Sequence, residues 1–174
     1  MPLFAERAAA DSVTAGLFED ADFYGFDIHA FVVMPEHFHL LLTLPALCKI
    51  SELLDRIKSN AARRTLHVCS ECIAAEMDKR RRLNSRKVWQ RGFRSVQIDK
   101  ESAFLQKIEY IHHNPVKRGL CLHPCEYAWS SAIFWEQAKW NGYRLVLSLD
   151  ERVACWPEAV RACLQRSHPT GVAR

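Results

Sequence analysis

A single domain that mixes β-strands with α-helices is the fold class this sequence predicts, and three stretches predict it. Residues 26–44, FDIHAFVVMPEHFHLLLTL, are two runs rich in aromatic and branched residues separated by Pro-Glu. Residues 49–66, KISELLDRIKSNAARRTL, and 100–114, KESAFLQKIEYIHHN, repeat their apolar residues at helical spacing. The chain has 174 residues, 49% of them hydrophobic, which supports one proper core and not two full domains.

The elements follow in order. The alanine-rich opening, AERAAADSVTAGLFEDADF, reads as a helix without chemistry. FDIHAFVVM and HFHLLLTL then form a β-hairpin, with Pro35 and Glu36 as its two turn residues, because a proline suits a turn and needs no ladder donor. Alternation along the second strand puts His37, His39, Leu41 and Thr43 on one face and Phe38, Leu40, Leu42 and Leu44 on the other. Ile50, Leu53, Leu54, Ile57 and Ala61 make the apolar stripe of an amphipathic helix whose outer side is basic. DKRRRLNSRK, with six basic residues from Lys79 to Lys87, is an exposed loop, and VWQRGFRSVQI after it is a strand. Asp99 is the candidate N-cap of the next helix, and Pro115 is expected to close it. VKRGL is a turn, and YAWSSAIFWEQAKW and ERVACWPEAVRACLQR are two helical pieces.

Charge and cysteine usage narrow the setting. The net charge is +4 with a pI near 8.7, which permits a polyanionic partner without requiring one. Seven scattered cysteines and no signal-peptide pattern point to a reducing cytoplasm. The longest apolar run, Ala30 to Leu47, is interrupted by Pro35, Glu36, two histidines and Pro45, so no membrane span is expected. Cys69 and Cys72 form one C-x-x-C without a second, which argues against structural zinc. Position 41 is leucine, where a third alternating histidine would be needed for a histidine-triad phosphohydrolase, and there is no glycine-rich phosphate loop.

The chemistry centres on two histidines. His37 and His39 share a strand face and could hold one divalent cation if a third ligand arrives from elsewhere, although such a pair is about as often a hydrogen-bonded edge feature. Tyr110 and Asn114 lie four apart on one helical face, with Lys107 on the same stripe. The plain reading makes Tyr110 a half-buried packing residue, Asn114 a helix cap, and His112 and His113 solvent-facing or backbone-bonded. Alternatively, a tyrosine attacks a phosphodiester polarised by a cation held by His37, His39 and the Asn114 oxygen, a donor set that suits manganese better than magnesium. Basic residues could neutralise a nucleic-acid backbone: Arg56, Lys58, Arg63, Arg64, Arg80, Arg81, Arg82, Arg91, Lys117 and Arg118. Trp89 and Phe93 lie among them as candidate base-stacking groups.

In order along the chain, AFVVMPEHFHLLLTLP, IKSNAARR, VWQRGFRSVQI, YIHHNPVKRGL and YAWSSA resemble the REP-associated tyrosine transposases, a branch of the HUH single-strand transposases. The resemblance runs from about Asp22 to about Ala132. It implies a ferredoxin-like α+β fold, a central antiparallel sheet flanked by helices, in a transposase domain over 1–135 with a helical tail over 136–174. It also implies cleavage and joining of single-stranded DNA at short palindromic hairpin repeats, dependent on a divalent metal ion (Mg²⁺ or Mn²⁺) and passing through a 5′-phosphotyrosine. Tyr110 would be the nucleophile and His37, His39 and Asn114 the metal ligands, in a monomer or homodimer. Glu36 stands where the family usually has Asn or Asp. The family's first strand, beside the histidine strand, has no counterpart ahead of Pro2-Leu3-Phe4, so the expectation is either an upstream start or an incomplete sheet. The alternative expectation is therefore a DNA-binding protein that has lost catalysis.

Overall fold

The computed structural model describes residues 4–68 and 92–138. In chain order these form α1 (Arg7–Tyr24), β1 (Asp27–Val33), β2 (Phe38–Thr43), α2 (Ile50–Val68), α3 (Glu101–Lys117), a 3₁₀ turn (Pro124–Glu126) and α4 (Ala132–Ala138). Helix α1 ends at Gly25, whose φ of 70° is left-handed and open to a residue without Cβ. The N–H groups of Gly25 and Phe26 both donate to the Ala21 carbonyl, at 2.8 and 3.1 Å, and the chain turns directly into β1.

Strands β1 and β2 form the expected antiparallel hairpin, pairing from Val33 with Phe38 to Asp27 with Thr43. Its turn closes through Met34 N–H donating to His37 O at 2.7 Å, with Pro35 and Glu36 at the centre. His37 is thus the last turn residue and β2 begins one residue later. Among the described residues the sheet has these two strands, with helices against both faces.

The two faces serve two cores. Ile28, Phe31 and Val33 of β1 join Val13, Leu17 and Phe18 of α1 and Leu53, Ile57 and Ala61 of α2, and Phe38, Leu40 and Leu42 pack on the same side. Ala30, Val32, Met34 and Leu41 instead meet Phe104, Ile108 and Ile111 of α3. A fully buried Val, Leu, Ile, Phe or Met contributes about 1.5–3 kcal/mol, so this packing anchors α3 to the histidine-bearing face. A bulge between Ile28 and Ala30 leaves His29 as the extra residue of β1, its Nε2 2.8 Å from Thr43 Oγ1.

The outer edge of β1 is covered from within the chain. Val33 N–H donates to Trp129 O at 2.8 Å, Ser131 N–H donates to Phe31 O at 3.0 Å, and Phe31 N–H donates to Ser131 Oγ at 2.9 Å. The Ser131 hydroxyl also lies 3.2 Å from Phe31 O and 2.8 Å from His112 Nε2. The hydroxyl can give its one proton to either, and the His112 tautomer sets which of the pair donates.

Four expectations are corrected. Residues 92–99 are irregular and mostly exposed, not a strand; Val96 is 72% exposed, and no partner among the described residues takes its backbone into a ladder. Lys100, not Asp99, is at the N-cap of α3, without a side-chain cap, and Asp99 Oδ1 accepts from Gln97 Nε2 at 2.9 Å. Pro115 does not close α3, which continues to Lys117. The carbonyl deprived by the proline is that of Ile111, and Asn114 Nδ2 donates to it at 3.4 Å, replacing part of the lost bond. His113 Nδ1 does bond the backbone, at Glu109 O, but His112 is buried, not solvent-facing. Arg80, Arg81, Arg82, Arg91, the pair Cys69 and Cys72, and the tail beyond Ala138 lie outside the described residues.

Burial, aided by the charge of His113, holds His112 down at about 4, against an ordinary value of 6.5. An unfolded His112 would bind a proton below about pH 6.5 while the folded one stays neutral, so stability is lost as pH falls from about 6.5 towards 4. Between pH 7 and pH 5 this single group should cost about 2 kcal/mol. Urea denaturation at the two pH values should show the loss in the wild type and a smaller one in His112→Gln, which keeps a hydrogen-bond partner for Ser131 but cannot titrate.

Candidate active site

The site is assembled where α3 crosses the Leu41 face of the hairpin. His37 leaves the turn and His39 follows on β2, so both imidazoles emerge on one face, with Nε2 atoms 3.2 Å apart. Their rings stand edge to face, with centroids 4.8 Å apart and an interplanar angle of 89°. The His39 ring in turn contacts the ring of Tyr110 at 5.7 Å. This contact joins the strand and helix parts of the predicted set, residues 71 positions apart in sequence.

Both histidines are held neutral. Burial is the main cause of the lowered value at His37, opposed by Glu36 and reinforced by Arg118. At His39 burial acts first, followed by the charges of His37 and Lys107, and the value falls to about 4. Neutral imidazole is the form that binds a cation. Glu36 Oε2 lies 3.9 Å from His37 Nδ1 and 3.9 Å from the Arg118 guanidinium, so a carboxylate stands behind the first imidazole.

Tyr110 is 43% exposed, and the ammonium groups of Lys107 and Lys117 each lie 5.0 Å from its ring centroid. Asn114, one turn further along, donates Nδ2 to Tyr110 O at 2.7 Å and to Ile111 O. Its amide nitrogen is thereby occupied, leaving Oδ1 as the atom available to a cation or a substrate donor.

The histidine pair, hydrogen-bonded Nε2 to Nε2 here, is also spaced as two ligands of one divalent cation would be. Metal–nitrogen bonds of about 2.1 Å meeting at octahedral to tetrahedral angles separate the nitrogens by about 3.0–3.4 Å, which matches the histidine pair. Among the described residues no group of three or more His, Cys, Asp or Glu could hold a metal, and an amide oxygen, water or substrate oxygens could complete the pair.

The basic residues divide. Lys117 and Arg118 stand at the site, whereas Arg56, Lys58 and Arg63 are on α2, against the opposite face of the hairpin. Arg56 lies over the Tyr24 ring at 5.8 Å, Lys58 donates to Gly92 O at 2.9 Å, and Arg63 donates to Asn60 Oδ1. Arg64 is not the free cation its sequence setting suggested. It donates to Glu19 at 2.9 Å and to Asp20 at 3.2 Å, packing on Gly16, where a Cβ would lie 2.5 Å from its Cδ. Burial raises the Asp20 carboxyl against the pull of Arg64, and Asn60 Nδ2 donates to the same carboxylate at 2.8 Å. Lys107, Glu36 and Ser131 were absent from the sequence-derived set; the stripe shared by Lys107, Tyr110 and Asn114 was the one available signal.

Residues 4–114 match the family of IS200-like transposases, and the chain belongs to that family. It is 28% identical over 101 residues to a putative REP-associated tyrosine transposase of Haemophilus influenzae, a match spanning 58% of this chain and 56% of that relative. The solved structure of a REP-associated tyrosine transposase bound to a REP hairpin shares the fold, with a TM-score of 0.54 and 22% identity over 79% of this chain and 76% of that one. No helix among the described residues is long and apolar enough to cross a membrane.

Arg64→Ala should act on folding and not on DNA affinity. Removing it leaves the buried Asp20 without its counter-charge, at a cost of roughly 3 kcal/mol. A several-degree fall in Tm with an unchanged salt slope of DNA binding is the expected result.

Proposed function

We propose that this chain cuts and rejoins single-stranded DNA beside short hairpin repeats, with Tyr110 as the nucleophile and the His37–His39 pair beside it as the seat of a divalent ion. The observation that carries this reading is the contact between the His39 and Tyr110 rings, with the two Nε2 atoms 3.2 Å apart, in a chain of a transposase family. The hairpin comes from the relative whose structure holds one.

In this mechanism Tyr110 Oη attacks the phosphorus of the target linkage. The P–O3′ bond breaks, leaving a 5′-phosphotyrosine and a 3′ oxygen that takes a proton from solvent, while the phenol proton departs to solvent. Joining reverses the step: an incoming 3′-hydroxyl attacks the phosphotyrosine and frees Tyr110. A magnesium or manganese ion bound by His37 Nε2, His39 Nε2 and Asn114 Oδ1 would polarise the phosphate and spread its developing charge. Tyr110 is positioned by its contacts with His39, Lys107 and Lys117. Asn114 is held by two backbone carbonyls in the preceding turn. The unspent energy of the phosphotyrosine bond lets strand transfer proceed without an external energy source.

The test is a denaturing gel of the full chain with labelled hairpin DNA carrying single-stranded flanks, in Mn²⁺. The expected product is a covalent adduct that is absent in Tyr110→Phe and reduced at least about 100-fold in His39→Ala. An adduct that persists in Tyr110→Phe would falsify the assignment. Hairpin binding without any wild-type adduct would leave a DNA-binding protein without catalysis.

A further inference from the structure

Tyr110 is bracketed by two cations of the same helix. Lys107 lies three residues before it and Lys117 seven after it, and each ammonium is 5.0 Å from the ring centroid. The half-buried Lys107 also faces the histidine pair, where its charge is among the causes that hold His39 neutral. The neighbouring cation Arg118 is spoken for, since it faces Glu36 at 3.9 Å. Among the described residues neither Lys107 nor Lys117 forms an ion pair. Two like charges drawn to one exposed ring, with no carboxylate to neutralise them, form a site built for an anion.

We propose that Lys107 and Lys117 form a two-ammonium clamp that binds the non-bridging oxygens of the phosphodiester attacked by Tyr110, and that Lys107 is a catalytic residue. This rests on the cleavage reading above. A clamp at the nucleophile's ring holds the phosphorus within reach of Oη and matches the charge that accumulates on the equatorial oxygens during attack. Lysine suits the task, because a flexible point charge can follow the phosphate from diester to phosphotyrosine. No proton transfer is assigned to either lysine.

The test uses the hairpin oligonucleotide cut by the wild type, with its cut linkage mapped and then replaced by an uncharged methylphosphonate. In a Tyr110→Phe background, which keeps the ring and removes the nucleophile, the replacement should weaken binding about 10-fold, whereas the same replacement two linkages away should not. In Tyr110→Phe with Lys107→Met and Lys117→Met, the penalty at the cut linkage should shrink below about 2-fold, and the slope of log affinity against log salt should fall by about one for each lysine. Lys107→Arg should restore most of the adduct formation lost in Lys107→Met. Thermal unfolding at the wild-type temperature confirms that the variants fold. An undiminished penalty in the lysine variants, or wild-type cutting by Lys107→Met, overturns the clamp while leaving Tyr110 as nucleophile; absence of any wild-type adduct overturns both.

Discussion

The packing of α3 against Ala30, Val32, Met34 and Leu41 is the constraint on which the rest of the structure depends. A strand presents alternate residues to opposite sides, so His39 of β2, and His37 in the turn just before it, face the layer that covers Leu41. Because Phe104, Ile108 and Ile111 supply that layer, the adjacent stripe of α3 is carried past the imidazoles, and Tyr110 meets His39. Hydrophobic burial thus aligns polar groups that have little attraction for one another. The polar geometry is a by-product of an apolar interface, and it is correspondingly rigid.

The electrostatics of this corner are one-sided. The imidazoles are kept uncharged mainly by burial, the lysines around Tyr110 are not neutralised, and Glu36 stands back, 3.9 Å from His37. A surface that gathers unpaired positive charge around an exposed phenol is unfavourable for a folded protein taken alone. It becomes favourable when a polyanion arrives, which is the usual logic of a site whose stability is deferred to its substrate. On the other face of the hairpin the opposite choice was made, with Arg64 paired to Glu19 and Asp20, and Asn60 donating to Asp20, to tie α1 to α2.

Much of this was legible in the sequence where a period is strong. The alternation of His37 through Leu44 predicted both faces of β2, and the spacing of Leu53, Ile57 and Ala61 predicted the buried side of α2. Tyr110 and Asn114 shared a face for the same reason. What escaped depended on partners distant in sequence. Arg64 looked like one more cation in a basic run, since its carboxylates lie 44 and 45 residues earlier. His112 looked exposed because its burial is made tolerable by Ser131, a residue on another segment altogether. Pro115 has the signature of a stop because the compensating donor, the Asn114 side chain, is invisible to backbone rules. Val96 and Ile98 have strand-like composition, but composition cannot provide the neighbour that a strand requires.

The bulge in β1 has a consequence for how the family's sequences can vary in length. Ile28 and Phe31 both point into the α1–α2 core although they are three positions apart, since His29 is an additional residue in the ladder. Excising His29 would leave Ile28, Ala30, Phe31 and Val32 in strict alternation, with every apolar side chain still on its own side. Excising Phe31, Val32 or Val33 would instead turn part of the strand over, sending Phe31 or Val33 towards the tyrosine helix. The hairpin therefore carries one spare position. Single-residue deletions in this strand should be sought at His29, where a length change would spare the registration of β2 and the histidines with it.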